Sequence, residues 1–496
     1  MMKDDRETGD GGRLKRLFTN TGIYMVGEFS IKLLSAFITP IYTILLLPEE
    51  YGVWSLSVMA LAGLTYIFNP ALHGAVTRFW FDHENTESAR RRFQGTVLSF
   101  LLLWSTLLVI LLNVVGVTLF DLIFVDLPFH PWGDFIVWIA YISTLSVVPK
   151  ATWIAAERPK TVVGINLLAT AVNLLGAIAL VIFAHIGVIG LFWAKLASVI
   201  IVGFPYISYL RKNVSLAWDN SMLKQALAFS LPLVPHLIAH WILAMSDRLI
   251  IERYAGIANV GIYSSAYVFI EGVNMVAMSM NRAWVPLFTR DYGDASQRPF
   301  IGRSITYFLT IVTGITLLLV VLSPTIIRIF YAENYAAAAN VAPILAMGGL
   351  FQGTYYIYVG GLFYFKRTTI IPFITITAGL VNIGLNILLI PIIGLEGAAW
   401  ATLAGYAVLA FGVRFGCRRV TKLPIEWWRL WKLAVIAVPV VSTTFVIDGI
   451  LHPGYELLAK LALLLAATGV LFISGFWQPE EIHAIKSKVL VLLHRH

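Results

Sequence analysis

The chain has 496 residues, of which 58% are hydrophobic and only 13% charged; its mean hydropathy is +0.80 and its net charge is +9. Soluble domains carry about a quarter charged residues, so this composition excludes a protein that covers its surface in water and indicates an integral membrane protein. The single cysteine, Cys417, excludes a disulfide framework and a multi-cysteine metal site, and the positive charge is expected in basic cytoplasmic loops rather than on a nucleic-acid-binding surface.

The first eighteen residues are charged and lack an apolar run that ends in small residues. We therefore expect no cleavable signal peptide. The first membrane span should begin near Thr21 and insert as an uncleaved anchor.

Fourteen apolar runs follow one another along the chain, separated by short breaks that contain Pro, Gly, Asn or charge. About 20 apolar residues suffice for a helix to cross a bilayer, so each run is long enough to be one span. The sequence therefore predicts an all-α polytopic membrane protein. The predicted spans are 21–46, 52–80, 94–119, 133–156, 161–184, 188–210, 226–251, 259–284, 302–323, 339–364, 369–390, 396–417, 428–447 and 456–476.

Lysine and arginine are concentrated in every second loop of this arrangement. Arg90, Arg91 and Arg92 fall in one such loop and Arg418 and Arg419 in another, whereas the intervening loops hold almost none. Because positive charge resists translocation, this alternation supports an even number of spans and predicts that both termini are cytoplasmic. We expect the protein in the cell (inner) membrane.

A short phrase occurs twice, as IGVIGLFWAKLA (186–197) and IGLEGAAWATLA (393–404), with seven of twelve residues identical in place. YGVWS (51–55) likewise pairs with VGIYS (260–264) at nearly the same offset. Since six spans separate the copies, we predict two six-helix lobes in a parallel pseudo-two-fold repeat plus two C-terminal helices, an organisation in which a substrate binds between the halves. The predicted divisions are a cytoplasmic N-terminal segment (1–20), an N-lobe (21–210), a cytoplasmic linker (211–225), a C-lobe (226–417), two extra helices (428–476) and a cytoplasmic tail (477–496).

The sequence contains no Walker-type, HExxH, CxxC or nucleophile-elbow motif. We therefore expect neither an enzyme nor an ATP-driven pump, and no cofactor or metal. The energy for transport would come from an H+ or Na+ gradient or from the gradient of the substrate itself.

Charged residues inside the predicted spans cost about 2.5–3.5 kcal/mol each on insertion scales and are therefore candidates for function. The basic candidates for binding a substrate in a cavity are Lys32, Arg78, Lys195, Arg248 and Arg282. Snorkelling to the cytoplasmic edge is the alternative for Arg78 and Arg282. Because these cations outnumber the acidic candidates, the predicted pocket suits an anionic substrate such as a diphosphate and poorly suits a cationic drug.

The acidic candidates for ion coupling are Glu271, Glu28 and Asp247. Glu271 falls near the middle of the eighth span, where burial would favour its protonated form and suit a proton or cation carrier; a neutral acid hydrogen-bonded inside the bundle is the alternative. Glu28 precedes Lys32 by four residues, so the two side chains share a helical face and could neutralise each other. Asp247 and Arg248 could form an ion pair that acts as a gate or a structural lock.

Two prolines, Pro232 and Pro235, lie three residues apart near the start of the seventh span. Proline removes a backbone hydrogen bond and kinks a helix. The pair is therefore a candidate hinge, with a static bend as the alternative.

Five stretches of the chain resemble one family in the order in which that family has them. They are LLLPEEYGVWSLS (45–57), ALHGAVTRFWFD (71–82), FSLPLVPHLIAHWILAMSDRLII (229–251), AGIANVGIYSSAY (255–267) and FYAENYAAAANVAPILAMGGLF (330–351). The chain thereby resembles the polysaccharide-transport (Wzx-like) flippases of the multidrug/oligosaccharidyl-lipid/polysaccharide (MOP) exporter superfamily.

The resemblance implies a substrate and partners. The substrate would be an oligosaccharide repeat unit linked to polyprenyl (undecaprenyl) diphosphate, moved from the cytoplasmic to the periplasmic leaflet for O-antigen (lipopolysaccharide), capsule or exopolysaccharide synthesis. A polysaccharide polymerase, a chain-length regulator and membrane lipids would be the partners, with no role for nucleic acid. A lipid II or multidrug exporter of the same superfamily is the alternative within transport. A membrane glycosyltransferase or polymerase is the alternative among enzymes, although the short outside loops disfavour it.

Overall fold

The computed structural model describes residues 10–80, 87–450, 453–478 and 481, and every regular element in these ranges is a helix. The protein is an all-α polytopic membrane protein. The sixteen α-helices of the described ranges are α1 (Asp10–Leu45), α2 (Pro48–Phe68), α3 (Leu72–Phe79), α4 (Glu87–Ile123), α5 (Asp134–Ser143), α6 (Val147–Ala155), α7 (Pro159–Ile178), α8 (Val188–Asn213), α9 (Asn220–Ser230), α10 (Val234–Ala255), α11 (Ile257–Asp291), α12 (Arg298–Phe330), α13 (Ala338–Tyr364), α14 (Ile370–Val420), α15 (Trp427–Ile450) and α16 (Pro453–Ile473).

All fourteen predicted spans fall on helices. In the described part of the chain, ten helices are long and apolar enough to cross a membrane, and the bent pair Asn220–Leu233 and Leu237–Ala255 makes an eleventh. α14 has 51 residues, about 76 Å at 1.5 Å per residue, which is long enough for two crossings. Its helical dihedrals are interrupted at Ile393 and Gly394, between the two spans predicted there.

The repeated phrase has the same backbone in both copies. Gly187 has φ 57° and ψ −146°, and Gly394 has φ 59° and ψ −136°. Residues with a Cβ rarely adopt this conformation, so the turn before each copy requires glycine. Three residues further on, a Cβ on Gly190 or Gly397 would lie 3.0 Å or 2.7 Å from a leucine of the preceding helix. The phrase therefore occurs twice because the same close helix turn is built at both places in the chain.

A second pair of repeat-related segments touches reciprocally inside one compact unit. A Cβ on Gly52 of α2 would lie 2.1 Å from the carbonyl oxygen of Ile257, and a Cβ on Gly261 of α11 would lie 2.0 Å from the carbonyl oxygen of Pro48. Glycine thus allows the two helices to approach closely, as small residues do in membrane proteins. In the repeat, Gly52 is equivalent to Gly261 and Pro48 is equivalent to Ile257. The two close contacts are therefore equivalent, and the contact has local two-fold symmetry.

The second predicted span, 52–80, is wrong as a continuous helix. It divides into α2 and α3, and Ala71 between them has φ 57°. Pro70 explains the break, because it has no N–H and disfavours helical dihedrals at Asn69. The side chain of Asn69 then accepts a hydrogen bond from the N–H of Leu72 at 3.1 Å, which caps α3.

The chain packs as two compact units. Unit 1 comprises Met1–Ser265 and Thr375–Thr402, and unit 2 comprises Ala266–Ile374 and Leu403–His496. One core of unit 1 lies where α3, α4 and α6 meet, around Phe93, and a core of unit 2 lies where α11, α12 and α13 meet, around Phe288. α10 and the start of α11 therefore pack with the N-terminal helices.

Buried charges join α16 to α12 within unit 2. Glu456 accepts hydrogen bonds from Lys460 at 2.7 Å, from Thr325 at 2.6 Å and from Arg328 at 2.6 Å. Lys460 is fully buried and also donates to Thr325 at 2.9 Å. Because both charges are paired and hydrogen-bonded, their desolvation is compensated, and the pair fixes where α16 packs.

A second charge cluster joins the start of α15 to the segment after α16. Arg429 forms ion pairs with Glu426 at 3.1 Å and with Glu481 at 2.9 Å, and Tyr307 of α12 also donates to Glu481. Burial alone would raise the pKa of the Glu481 carboxyl, but hydrogen bonds from Tyr307, from the N–H of Gln478 and from Arg429 outweigh it and hold that pKa below its usual value.

Candidate functional site

Asp247 and Arg248 form a buried ion pair in α10, within unit 1. Asp247 is 1% exposed and Arg248 6% exposed. The guanidinium Nη1 of Arg248 lies 3.2 Å from Asp247 Oδ1, and its Nε donates to the hydroxyl of Ser55 at 3.3 Å. Ser55 in turn lies 2.5 Å, oxygen to oxygen, from its repeat equivalent Ser264. The sequence-predicted pair is therefore present and is attached to the two-fold contact between α2 and α11.

The other carboxylate oxygen of Asp247 faces hydroxyl and amide groups of the same unit. Tyr263 donates to Asp247 Oδ2 at 2.7 Å, and Thr402 lies 3.5 Å from the same oxygen. Asn382 donates to Thr402 at 3.5 Å and accepts from Asn386 at 3.1 Å. The Oδ1 of Asn386 is buried and accepts no hydrogen bond from any described residue. Asp247 therefore lies in an oxygen-rich cluster, and its role in ion coupling stays a prediction.

Lys195 occupies, in the first copy of the repeated phrase, the position that Thr402 occupies in the second. The exposed apolar stripe of α8 contains Trp193, Ile200 and Phe204, which are 51%, 44% and 68% exposed. Lys195 is half-buried and follows Trp193 by two residues, about 200° around the helix, so it lies on the face of α8 opposite this stripe. Among the described residues, none accepts a hydrogen bond from it.

The remaining basic candidates are spread over three helices. Lys32 is half-buried in α1, and Arg78 is exposed in the last turn of α3 with its guanidinium 5.9 Å from the ring centre of Phe79. Arg282 is half-buried in α11, in unit 2. Lys32, Arg78, Lys195 and Arg248 belong to unit 1, and their role in binding substrate stays a prediction.

Of three further residues predicted from the sequence, one has a side chain that the structure does not describe and two lie at a kink. The side chain of Glu28 lies outside the described residues. Pro232 and Pro235 lie where α9 ends and α10 begins, and the helix axis changes direction there by 41°. The kink is therefore observed at the predicted place, whereas its use as a hinge stays a prediction.

The side chain of Glu271 is exposed on α11, and its role as an ion carrier stays a prediction. α11 packs on α13 through another face: a Cβ on Gly349 would lie 2.5 Å from Val273, and one on Gly353 would lie 3.3 Å from Ala277. Glu271 projects about 160° away from Val273, so it cannot enter this contact.

A polar arc on α11 accompanies Glu271. At 100° per residue, Glu271, Asn274, Met278, Asn281 and Arg282 all fall within an arc of about 100°. Asn274 is 6% exposed, and its Oδ1, like that of Asn281, accepts no hydrogen bond within the described ranges.

α13 adds two polar side chains beside this arc. Gln352 is 8% exposed and its Oε1 lacks a donor among the residues that the structure describes. Tyr356 lies near Gln352, Glu271 and Arg282. Unit 2 thus contains carbonyl-type acceptors that no described side chain satisfies.

Sequence reasoning missed most of these amides and hydroxyls. Asn274 and Gln352 lie inside predicted spans, where a polar uncharged side chain is itself a signal, but the predicted site residues are ionisable groups and prolines only. The match between Asn173 and Asn382 in the repeat was the available clue, and Asn173 Oδ1 is also buried without a donor in the described part of the chain.

Comparison with known proteins identifies the family and the fold. A family model described as polysaccharide biosynthesis protein matches residues 17–291, more than half of the chain. The structure of lipid II flippase MurJ in an inward closed conformation matches with a TM-score of 0.74 at 14% identity, covering 91% of this chain and 99% of that chain.

Multidrug transporters of the MATE family have the same fold. An inward-facing MATE transporter of the MOP superfamily has a TM-score of 0.62 at 14% identity and covers 80% of this chain and 98% of its own. A MATE transporter from Vibrio cholerae has a TM-score of 0.56 at 14% identity, covering 83% and 98%. No curated protein matches the chain. The chain therefore belongs to the polysaccharide biosynthesis protein family and has the fold of the MOP superfamily.

Proposed function

We propose that the protein translocates polyprenyl-diphosphate-linked oligosaccharide repeat units from the cytoplasmic to the outer leaflet by alternating access, for O-antigen, capsule or exopolysaccharide synthesis. The family match supports a role in polysaccharide biosynthesis, and the fold is that of a lipid II flippase and of multidrug transporters. Undecaprenyl diphosphate is the carrier lipid that this role requires.

The proposal depends mainly on Lys195, a lysine inside a predicted span that has no hydrogen-bond acceptor among the described residues. Keeping a half-buried lysine inside a membrane span costs free energy unless an anion binds its ammonium group. A diphosphate supplies such an anion, and a charge-assisted hydrogen bond to it is about twice as strong as a neutral one. A cationic drug would be repelled, which disfavours the multidrug alternative.

We also propose that the coupling ion, H+ or Na+, acts at Asp247. This carboxylate is buried beside hydroxyl and amide oxygens, and the unsatisfied Oδ1 of Asn386 belongs to the same cluster. Glu271 is the second candidate, with its exposed carboxylate on α11. Asp247→Asn should abolish the dependence of transport on one of the two gradients, and Glu271→Gln should do so if Glu271 is the carrier.

The test is translocation in proteoliposomes, with a fluorescent saccharide linked to polyprenyl diphosphate as the substrate. Lys195→Met should slow translocation at least 10-fold, because a hydrogen bond to a charged group is worth about 1.5–3 kcal/mol. Lys195→Arg should retain most activity. Lys224→Met, which removes an exposed lysine from α9, is the matched control and should have no effect.

Each rival predicts a different result in the same vesicles. An enzyme would change the mass of the lipid-linked saccharide, whereas a flippase changes only the leaflet that it occupies. A lipid II exporter would prefer lipid II over other saccharides on the same carrier. Wild-type protein that moves none of these lipids would refute the proposed function, and full activity of Lys195→Met would refute the role of Lys195 alone.

A further inference from the structure

Three amide side chains at the junction of α11 and α13 have buried oxygens with no donor. They are Asn274 and Asn281 of α11 and Gln352 of α13, which together we call the amide face. Asn274 and Gln352 are more than nine-tenths buried, and none of the three side-chain oxygens accepts a hydrogen bond anywhere in the described ranges. All three residues lie in unit 2.

Packing alone does not explain the amide face. A buried carbonyl without a donor is destabilising, and most buried polar atoms in proteins are satisfied. Leucine has the same branching at Cγ as asparagine and carries no polar atom, so it would avoid this cost. Three such acceptors on adjacent helices therefore indicate a ligand that supplies donors.

Because the unsatisfied atoms are hydrogen-bond acceptors, the ligand must carry hydrogen-bond donors. Carbonyl oxygens need O–H or N–H donors, and the oxygens of an ionised diphosphate are acceptors only, so the diphosphate cannot satisfy them. Sugar hydroxyl groups are neutral donors. Tyr356, beside Gln352, adds an aromatic ring with a polar hydroxyl, which suits a ligand that has both apolar and polar faces.

A flexible side chain lies next to the amide face on α11. Met278 is 39% exposed and lies four residues after Asn274 and three before Asn281, so it is adjacent to both on the helix surface. Methionine has three rotatable bonds and changes conformation readily. Met278 can therefore adapt its conformation to a ligand at the amide face.

We propose that the amide face binds the sugar hydroxyls of the translocated lipid and so distinguishes a saccharide-bearing carrier from the bare carrier lipid. This inference rests on the proposed function and extends it, because it assigns recognition of the saccharide to α11 and α13 in unit 2. The diphosphate is recognised separately, by cationic side chains.

The test compares two probes that bind to the full-length protein in nanodiscs: polyprenyl diphosphate carrying one hexose, and polyprenyl diphosphate without a sugar. Wild-type protein should bind the hexose-bearing lipid about 10-fold more tightly, as two neutral hydrogen bonds of ordinary strength allow. In the double variant Asn274→Leu/Gln352→Leu the two affinities should become equal, while the affinity for the bare lipid stays unchanged.

Thermal unfolding separates recognition from a structural role. Because each leucine removes an unsatisfied buried acceptor, the double variant should unfold at the same temperature as the wild type or at a higher one. Ser279→Ala is the matched control on α11, since the Ser279 hydroxyl already donates to the carbonyl of Met275 at 2.7 Å, and it should leave both affinities unchanged.

Four outcomes would overturn the inference. A double variant that keeps the 10-fold preference would show that the amide face does not bind sugar. A variant that unfolds at a clearly lower temperature and loses affinity for both lipids would show that the amides are structural. Wild-type protein that binds both lipids equally would refute sugar recognition alone, whereas wild-type protein that binds neither would refute the proposed function and sugar recognition with it.

Discussion

The reciprocal contact between α2 and α11 makes a quantitative prediction about Gly52 and Gly261. An alanine Cβ at position 52 would lie 2.1 Å from the carbonyl oxygen of Ile257, and one at position 261 would lie 2.0 Å from that of Pro48. Cβ atoms do not approach oxygen closer than about 3.0 Å, so either substitution must push the two helices apart by about 1 Å.

The expected cost follows from this displacement. Overpacking a close contact usually destabilises by about 1–3 kcal/mol, and separating the helices also weakens Cα–H···O contacts worth about 0.5–1 kcal/mol each. We therefore expect Gly52→Ala and Gly261→Ala each to lower the free energy of unfolding by about 2–3 kcal/mol. The assay is thermal unfolding of the purified protein in detergent.

The double variant provides the sharper test. Once the first Cβ has separated the helices, the second finds part of its space already made, so the combined loss should be smaller than the sum of the single losses. Gly164→Ala in α7 is the control, because a Cβ there would meet no atom within 4 Å and alanine favours a helix. Strict additivity, or single variants as stable as Gly164→Ala, would refute the reciprocal contact.

Three further predictions concern charges. Arg248→Ala should destabilise by about 3–5 kcal/mol, since it leaves Asp247 buried without its cation; an unfolding midpoint equal to that of the wild type would contradict this. Lys460→Met should destabilise the protein less than Arg248→Ala does, because Glu456 keeps the donors Thr325 and Arg328. Limited proteolysis should report whether α16 detaches from α12 in this variant. The lowered pKa of Glu481 means that its contribution to stability is present above its unfolded pKa of about 4.3 and is lost as pH falls through the folded value. Glu481→Gln should therefore flatten the acid limb of a stability–pH profile, and an unchanged limb would exclude Glu481 as its cause.

Much of the fold could be predicted because it depends on properties that can be counted along the chain. The length of an apolar run decides whether it spans a bilayer, so all fourteen predicted spans fall on helices. Gly187 and Gly394 occupy the same place in the repeated phrase, and their dihedrals are nearly the same. The pair of prolines at 232 and 235 likewise marked the place where the helix bends by 41°.

The candidate site could be predicted only in part. Asp247 and Arg248 are neighbours in sequence, so their pairing was foreseeable, but their contacts with Ser55 and Thr402 join residues more than 150 positions apart. The exposure of Glu271 was not foreseeable, because it depends on which face of α11 the glycines of α13 contact.

The sequence by itself therefore determined that the protein is a helical membrane protein with many spans, where its repeated segments lie and which charges must be explained in an apolar environment. These are local properties, set by the hydrophobicity, charge and backbone freedom of residues close together in the chain. Only the tertiary structure decided which buried polar groups find partners and which do not. Lys460 is satisfied because α12 brings Thr325 to it, whereas Asn274 has no donor within reach in the described part of the chain. Satisfaction of a buried polar atom depends on distances of about 3 Å between helices remote in sequence, and helix packing alone sets these distances.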